Sequence, residues 1–269
     1  MNRLAILVRP IGLALLCALA TPSSAQQSGE TAPSEATWAE IRTAAVGERP
    51  IQENSGLLTL GAPARAEDAA LVPVEVAFKL PDGDPRRVTA LTLVIDENPA
   101  PLGARFRFGE GKAAFALSTR VRVNSYSYLR AIAETSDGGL HMVKTYVKAA
   151  GGCSAAAVKD PAEAKANLGE MRFRIIATRG EAQVQIRHPN YSGLQMDQVT
   201  RLYTPAWYVE TATVKQGEQP LFTMEGGISI SEDPTFRFTY AGGSEPVTVE
   251  AMDTEGRVFR RTFPGSDGS

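Results

Sequence analysis

Apolar and polar residues alternate along most of this chain. Between residues 71 and 80, Val72, Val74, Val76 and Phe78 fall on one face, and Glu75 and Lys79 fall on the other. A period of two marks a strand buried on one side. The same reading predicts strands at 57–61, 88–96, 104–108 and 113–123. Two more, 128–134 and 140–147, form a hairpin over Ser136-Asp137-Gly138-Gly139. Short strands with a turn signal every ten or so residues predict a sandwich of immunoglobulin type. After residue 170 the pattern starts again, with strands at 171–177, 182–187, 207–215, 221–224, 228–231, 236–240, 247–252 and 258–263. The fold class is therefore all-β, two immunoglobulin-like sandwich domains.

Helical periodicity enters once before them. Trp38, Ile41 and Ala45 share one helical face, Thr37 and Glu40 have the spacing of a capping box, and Gly47 follows. One short N-terminal helix, 38–46, is predicted. Residues 148–170 break the β pattern. They hold Gly151, Gly152, a run of alanines and Pro161, with almost no large apolar side chain. A turn or two of helix at 161–167 is allowed there, with Asp160 as cap and Pro161 at its first position.

The N-terminus carries a different pattern. Arg3 and Arg9 flank the start of an apolar run from Ile11 to Ala20, and Ser23-Ser24-Ala25 supplies small residues before Gln26. That is the layout of a cleavable secretion signal, too short to span a bilayer. The expected organisation is a signal peptide at 1–25 and a flexible leader at 26–36. A first sandwich follows at 37–148, a cysteine-bearing arm and linker at 149–169, a second sandwich at 170–264, and a tail at 265–269. The expected location is the periplasm, with no membrane insertion.

Composition then removes several function classes. The chain has 269 residues and a formal charge of −2, with 22% charged residues. No basic footprint for nucleic acid is present. Only His141 and His188 are available as histidines, in different halves, and both read as structural. No metal-ligand spacing and no phosphate loop occurs, so neither metal nor cofactor is expected.

One reactive group remains. Cys17 lies inside the signal, which leaves Cys153 alone in the mature chain. Exported proteins usually pair their cysteines, so an odd one suggests a functional thiol or a bond between chains. Its neighbours Gly151, Gly152 and Ser154 offer no apolar cover, which predicts an exposed thiol. Gly151 and Gly152 would give a flexible arm. Lys144, Lys148 and Lys159 lie close in sequence and would favour the thiolate. A mobile segment is a poor place to hold a catalytic base, so the thiol reads as an attachment point and the chain as a carrier without enzymatic activity.

The residues also resemble a known family. Trp38 to Arg42, Leu71-Val72-Pro73-Val74-Glu75-Val76, Asn98-Pro99-Ala100-Pro101-Leu102, Arg105-Phe106-Arg107-Phe108-Gly109, Ser118-Thr119-Arg120-Val121-Arg122-Val123 and Gly151-Gly152-Cys153 look like SoxY. Ile186-Arg187-His188-Pro189, Pro205-Ala206-Trp207-Tyr208-Val209, Ser229-Ile230-Ser231-Glu232-Asp233-Pro234 and the turn from Asp253 to Gly256 are similar to SoxZ. The chain thus resembles a fusion of the two subunits of the periplasmic sulfur-carrier complex of thiosulfate oxidation. The resemblance implies a cysteine that holds a sulfur adduct while partner enzymes process it. Those partners would be periplasmic redox or sulfur-processing enzymes. Fusions of this kind are associated with quinoprotein (alcohol-type) dehydrogenase systems, which gives the alternative of a non-covalent accessory protein. A disulfide dimer through Cys153 is a further arrangement that an odd cysteine allows. The family arm usually reads Gly-Gly-Cys-Gly-Gly and ends its chain. Here Ser154-Ala155-Ala156 follows the cysteine and the chain continues.

Overall fold

Strand alternation reappears in the structure, a computed structural model that describes residues 34–156, 161–197 and 200–266. The expected signal peptide, Cys17, most of the leader and Lys159 lie outside the described residues. In chain order the first half comprises α1 (Ala36–Val46), β1 (Ile51–Glu53), β2 (Leu58–Gly61), β3 (Val72–Lys79), β4 (Val88–Ile95), β5 (Leu102–Lys112), β6 (Ala114–Val121), β7 (Ser127–Thr135) and β8 (Leu140–Val147). The second half comprises α2 (Pro161–Ala166), β9 (Met171–Ile176), β10 (Glu181–Ile186), β11 (Val209–Gln216), β12 (Gln219–Gly226), β13 (Thr235–Thr239), β14 (Val247–Asp253) and β15 (Val258–Phe263). The fold is all-β, two immunoglobulin-like sandwiches.

The two sandwiches are joined edge to edge. One sheet runs β1-β8-β7-β4-β5-β12-β11-β14-β15 and the other β2-β3-β6-β13-β10-β9. The joints are β5 with β12, where Phe106 faces Met224, and β6 with β13, where Leu117 faces Phe238. Pairing strands across the junction removes four exposed sheet edges, which otherwise invite aggregation. The core follows the sheets. Phe106 packs edge-on against Phe222 and Phe236, both at 5.9 Å, and Phe115 stacks on Phe238 at 6.3 Å. Each such pair adds roughly 0.5–1.5 kcal/mol beyond its buried area. The halves therefore share one apolar core rather than touching as separate bodies.

Some elements differ from the sequence expectation. The capping box does not form: the helix starts earlier, with Glu35 as its N-cap residue and no side-chain cap bond. Glu35 is drawn instead to Arg130, at 3.0 Å, and to Lys144. α1 covers the outer face of the larger sheet, where Trp38 and Val46 meet Val94, Ile132 and Met142. That second covered face is why β4 is almost uniformly buried instead of alternating. β1 pairs in parallel with β8 and was not predicted. Residues 228–231 form no strand beyond one bridge, Val121 to Ile230, although Ser229, Ile230 and Ser231 are buried. The start of the expected tail is held by a bridge between Gly243 and Ser266.

Candidate functional site

Cys153 sits where the first half ends and the second begins, in the turn after β8. It is fully buried, which corrects the expectation of an exposed thiol. The small neighbours in sequence provide no cover, but the second half does, by folding back over the turn.

Backbone bonds fix the arm. Gly151 N donates to Asn124 O at 2.8 Å, and Gly152 N donates to Val123 O at 3.0 Å. The 122–124 stretch is itself pinned. Val123 N donates to Ala69 O at 2.8 Å, and the Asn98 side chain donates to Arg122 O and accepts from Asn124 N, both at 2.8 Å. A loop of the second half closes from the other side. Ser192 Oγ donates to Cys153 O, and Gln195 Nε2 donates to Ala155 O at 3.0 Å.

The glycines acquire a different reason here. Gly151 has φ +80°, a left-handed conformation that other residues adopt at a cost. A Cβ on Gly152 would lie 2.0 Å from Ala69 O and 2.7 Å from Val123 O. In this conformation the pair is required for close packing, and the expected flexible arm is a docked one.

Two of the three predicted cations lie among the described residues. Lys144 is engaged by Glu35 and lies over the Tyr128 ring at 5.4 Å. Lys148 is tied through its backbone to Ala64 and Ala66. Lys159 falls outside the described residues. The cation whose field reaches the thiol is Arg122. Burial pushes the Cys153 thiol up to about 11, and Arg122 only partly opposes this. At neutral pH the docked thiol is therefore un-ionised, and it is a weak nucleophile in that form.

Arg122 is 2% exposed and reaches across the junction. Its Nη1 donates to Gly152 O at 3.4 Å and its Nη2 to Asn190 O at 3.1 Å. Burial lowers its pKa. The Asn190 carbonyl is aimed by a rigid turn. Asn190 adopts φ +44°, its N–H donates to His188 Nδ1 at 3.1 Å, and its Oδ1 accepts from Val209 N at 3.1 Å. His188 packs edge-on against Trp207 at 4.9 Å, and Trp207 Nε1 donates to Asp253 Oδ2 at 2.8 Å. Burial holds His188 below its usual pKa, so the imidazole is neutral. His141 is remote from this cluster and meets Ser55 Oγ at 3.0 Å.

Sequence reasoning thus found the cysteine and missed its surroundings. Arg122 lies between Val121 and Val123, so alternation assigns it to the outward face, where an arginine is unremarkable. Asn98, Asn190, Ser192 and Gln195 look like ordinary turn residues. Their joint role exists only because the second half folds over the first.

Residues 42–153 match the family model for SoxY, described as sulfur oxidation protein SoxY, and the match ends on Cys153. Residues 177–264 match the family model for SoxZ, described as sulphur oxidation protein SoxZ. Among solved structures, the sulfur carrier protein SoxY from Chlorobium limicola f thiosulfatophilum is 27% identical, covering 43% of this chain and 97% of its own, with a TM-score of 0.36. A superoxide reductase (neelaredoxin) from Ignicoccus hospitalis is 16% identical, covering 36% of this chain and 94% of its own, with a TM-score of 0.30. A search of curated proteins finds no match.

Proposed function

We propose that this chain, which carries a SoxY domain followed by a SoxZ domain, is a periplasmic sulfur carrier that binds its cargo covalently on Cys153. The observation that supports this most is the placement of the only cysteine among the described residues. It lies in a short turn at the junction, and that turn is held by side chains of both halves. Carriage proceeds from an opened arm. Opening separates the backbone of residues 151–155 from Arg122, Ser192 and Gln195, removes the burial that suppresses ionisation, and exposes the thiolate. With thiosulfate as donor, the Cys153 sulfur bonds to the outer sulfur of thiosulfate to give Cys153–S–S–SO3⁻. The two electrons released pass to an electron acceptor in a partner redox enzyme. The partner contact has a natural place. The loop whose inner side holds the arm exposes Leu202 (69%) and Tyr203 (63%) on its outer side.

A second reading is favoured by one observation, the burial of Cys153 and its raised pKa. In that reading the chain is a non-covalent accessory protein of a quinoprotein (alcohol-type) dehydrogenase system, and the cysteine is only a core residue. A disulfide between two chains also requires the arm to open, because the docked sulfur is covered. The two readings separate in the host organism. The carrier reading expects Cys153→Ser to reproduce the phenotype of deleting the protein. Full function of Cys153→Ser beside loss on deletion would establish the accessory reading instead.

A further inference from the structure

Among the described residues, Arg122 is a buried charge in no ion pair. Its guanidinium meets two backbone carbonyls, and its Nε has no partner. Among the described residues no ion pair joins it to a carboxylate; Glu232 and Asp68 act on it only through their fields. A buried cation in this state is costly unless an anion is supplied. One group beside it changes charge, the sulfur of Cys153, which follows the residue whose carbonyl Arg122 holds. Among the described residues, Arg122 is the charged group that acts on that sulfur.

Resting on the carrier reading above, we propose that Arg122 is the counter-charge for an anionic adduct on Cys153, so that the junction holds the arm more tightly when the cysteine bears an anionic adduct than when it bears a neutral one. The consequence is a charge-dependent grip. A negatively charged cargo is kept in the seam, away from solvent and stray thiols. Processing that leaves a neutral group, or a partner that offers its own cation, loosens it. Arg122 here is a positioning residue: it sets where the arm rests and takes no part in bond making.

Two reagents of similar size differ in the charge they leave. With tetrathionate, the thiolate attacks a central sulfur, Cys153–S–S–SO3⁻ forms, and thiosulfate departs with the electron pair. With methyl methanethiosulfonate, Cys153–S–S–CH3 forms and methanesulfinate departs. Neither reaction needs an external oxidant. Each adduct is made on the full chain, on Arg122→Gln and on Arg122→Lys. Amide hydrogen exchange is then followed in the peptide spanning residues 150–155. In the unaltered chain the anionic adduct should slow exchange at least about tenfold relative to the neutral adduct. In Arg122→Gln the two adducts should agree within about twofold, while Arg122→Lys keeps most of the difference. Circular dichroism of the variants guards against a merely unfolded junction.

A second readout needs no adduct. The rate of alkylation by neutral iodoacetamide, followed against pH, reports the thiolate directly. Its midpoint should rise by about one unit in Arg122→Gln. Equal exchange of the two adducts in the unaltered chain would overturn the proposal, as would an unchanged difference in Arg122→Gln or refusal of tetrathionate where the methyl reagent loads fully. Failure of the carrier reading looks different: the charge dependence would persist in vitro while no adduct ever forms on Cys153 in the host.

Discussion

Arg130 and Arg122 are both fully buried and belong to the same half, yet their surroundings are opposite. Arg130 is paired with carboxylates, although its Nη1 has no partner. It makes three hydrogen bonds to Asp96, at 2.7, 2.9 and 3.0 Å, and one to Glu35 at 3.0 Å, and it lies 4.4 Å above the Trp38 ring. Bidentate, stacked and neutralised, it clamps α1 to the larger sheet. Arg122 hydrogen-bonds to carbonyls only, and the Cys153 thiol is among the ionisable groups that act on it. A closed pair is what structure needs. A buried cation in no ion pair, beside the one cysteine of the described residues, is what a site that receives an anion needs.

The largest effect should come from breaking the closed pair. Asp96→Ala leaves Arg130 buried with only the half-exposed Glu35, and we expect a loss of about 3–5 kcal/mol in urea unfolding. Arg122→Gln removes two carbonyl bonds and no ion pair, and should cost less than about 2 kcal/mol. Equal losses would erase the distinction between the two arginines.

Next in size is the pH dependence carried by the thiol. Its folded pKa, about 11, lies above the ordinary 9.0. A raised pKa means that the stabilisation is complete below the unfolded value and is lost as pH rises through the folded one. Between about pH 9 and 11 the chain should therefore lose up to about 3 kcal/mol relative to Cys153→Ser. Parallel stability curves for the two proteins would show that the arm does not stay docked in solution.

Gly152→Ala should come third. Its Cβ would meet Ala69 O at 2.0 Å, so the arm must leave the seam. We expect about 1–3 kcal/mol of destabilisation and a rise of at least about tenfold in thiol labelling at neutral pH. Smaller effects are expected from Ser192→Ala and Gln195→Ala, which each remove one bond to the arm. About 1 kcal/mol apiece corresponds to roughly fivefold faster labelling. Unchanged labelling in both would remove the loop from the latch.

Local pattern carried the fold further than it carried the site. Val72, Val74, Val76 and Phe78 are buried where alternation places them, because a strand's face depends only on the period of its residues. β1 was invisible, since three residues with no clear alternation give no periodic signal. Thr37 and Glu40 satisfied a helix-start pattern, but the charges of Arg130 and Lys144 took Glu35 and moved the start. Cys153 was found by counting. Its burial was not, because nothing near it in sequence covers it; the loop that closes over the arm carries Ser192 and Gln195, some forty residues on. Arg122 illustrates the same limit from the other side. A strand pattern says which face a residue takes, and only the assembled halves say what lies on that face.

The central claim is that Cys153 carries a sulfur group covalently, and intact mass measures this directly. The protein is incubated with thiosulfate and the periplasmic fraction of its host, then weighed and peptide-mapped. The account predicts an added sulfur-containing mass on the peptide bearing Cys153, removed by dithiothreitol and absent from Cys153→Ser. An unmodified Cys153 throughout, while the protein supports its host's metabolism in full, would contradict it.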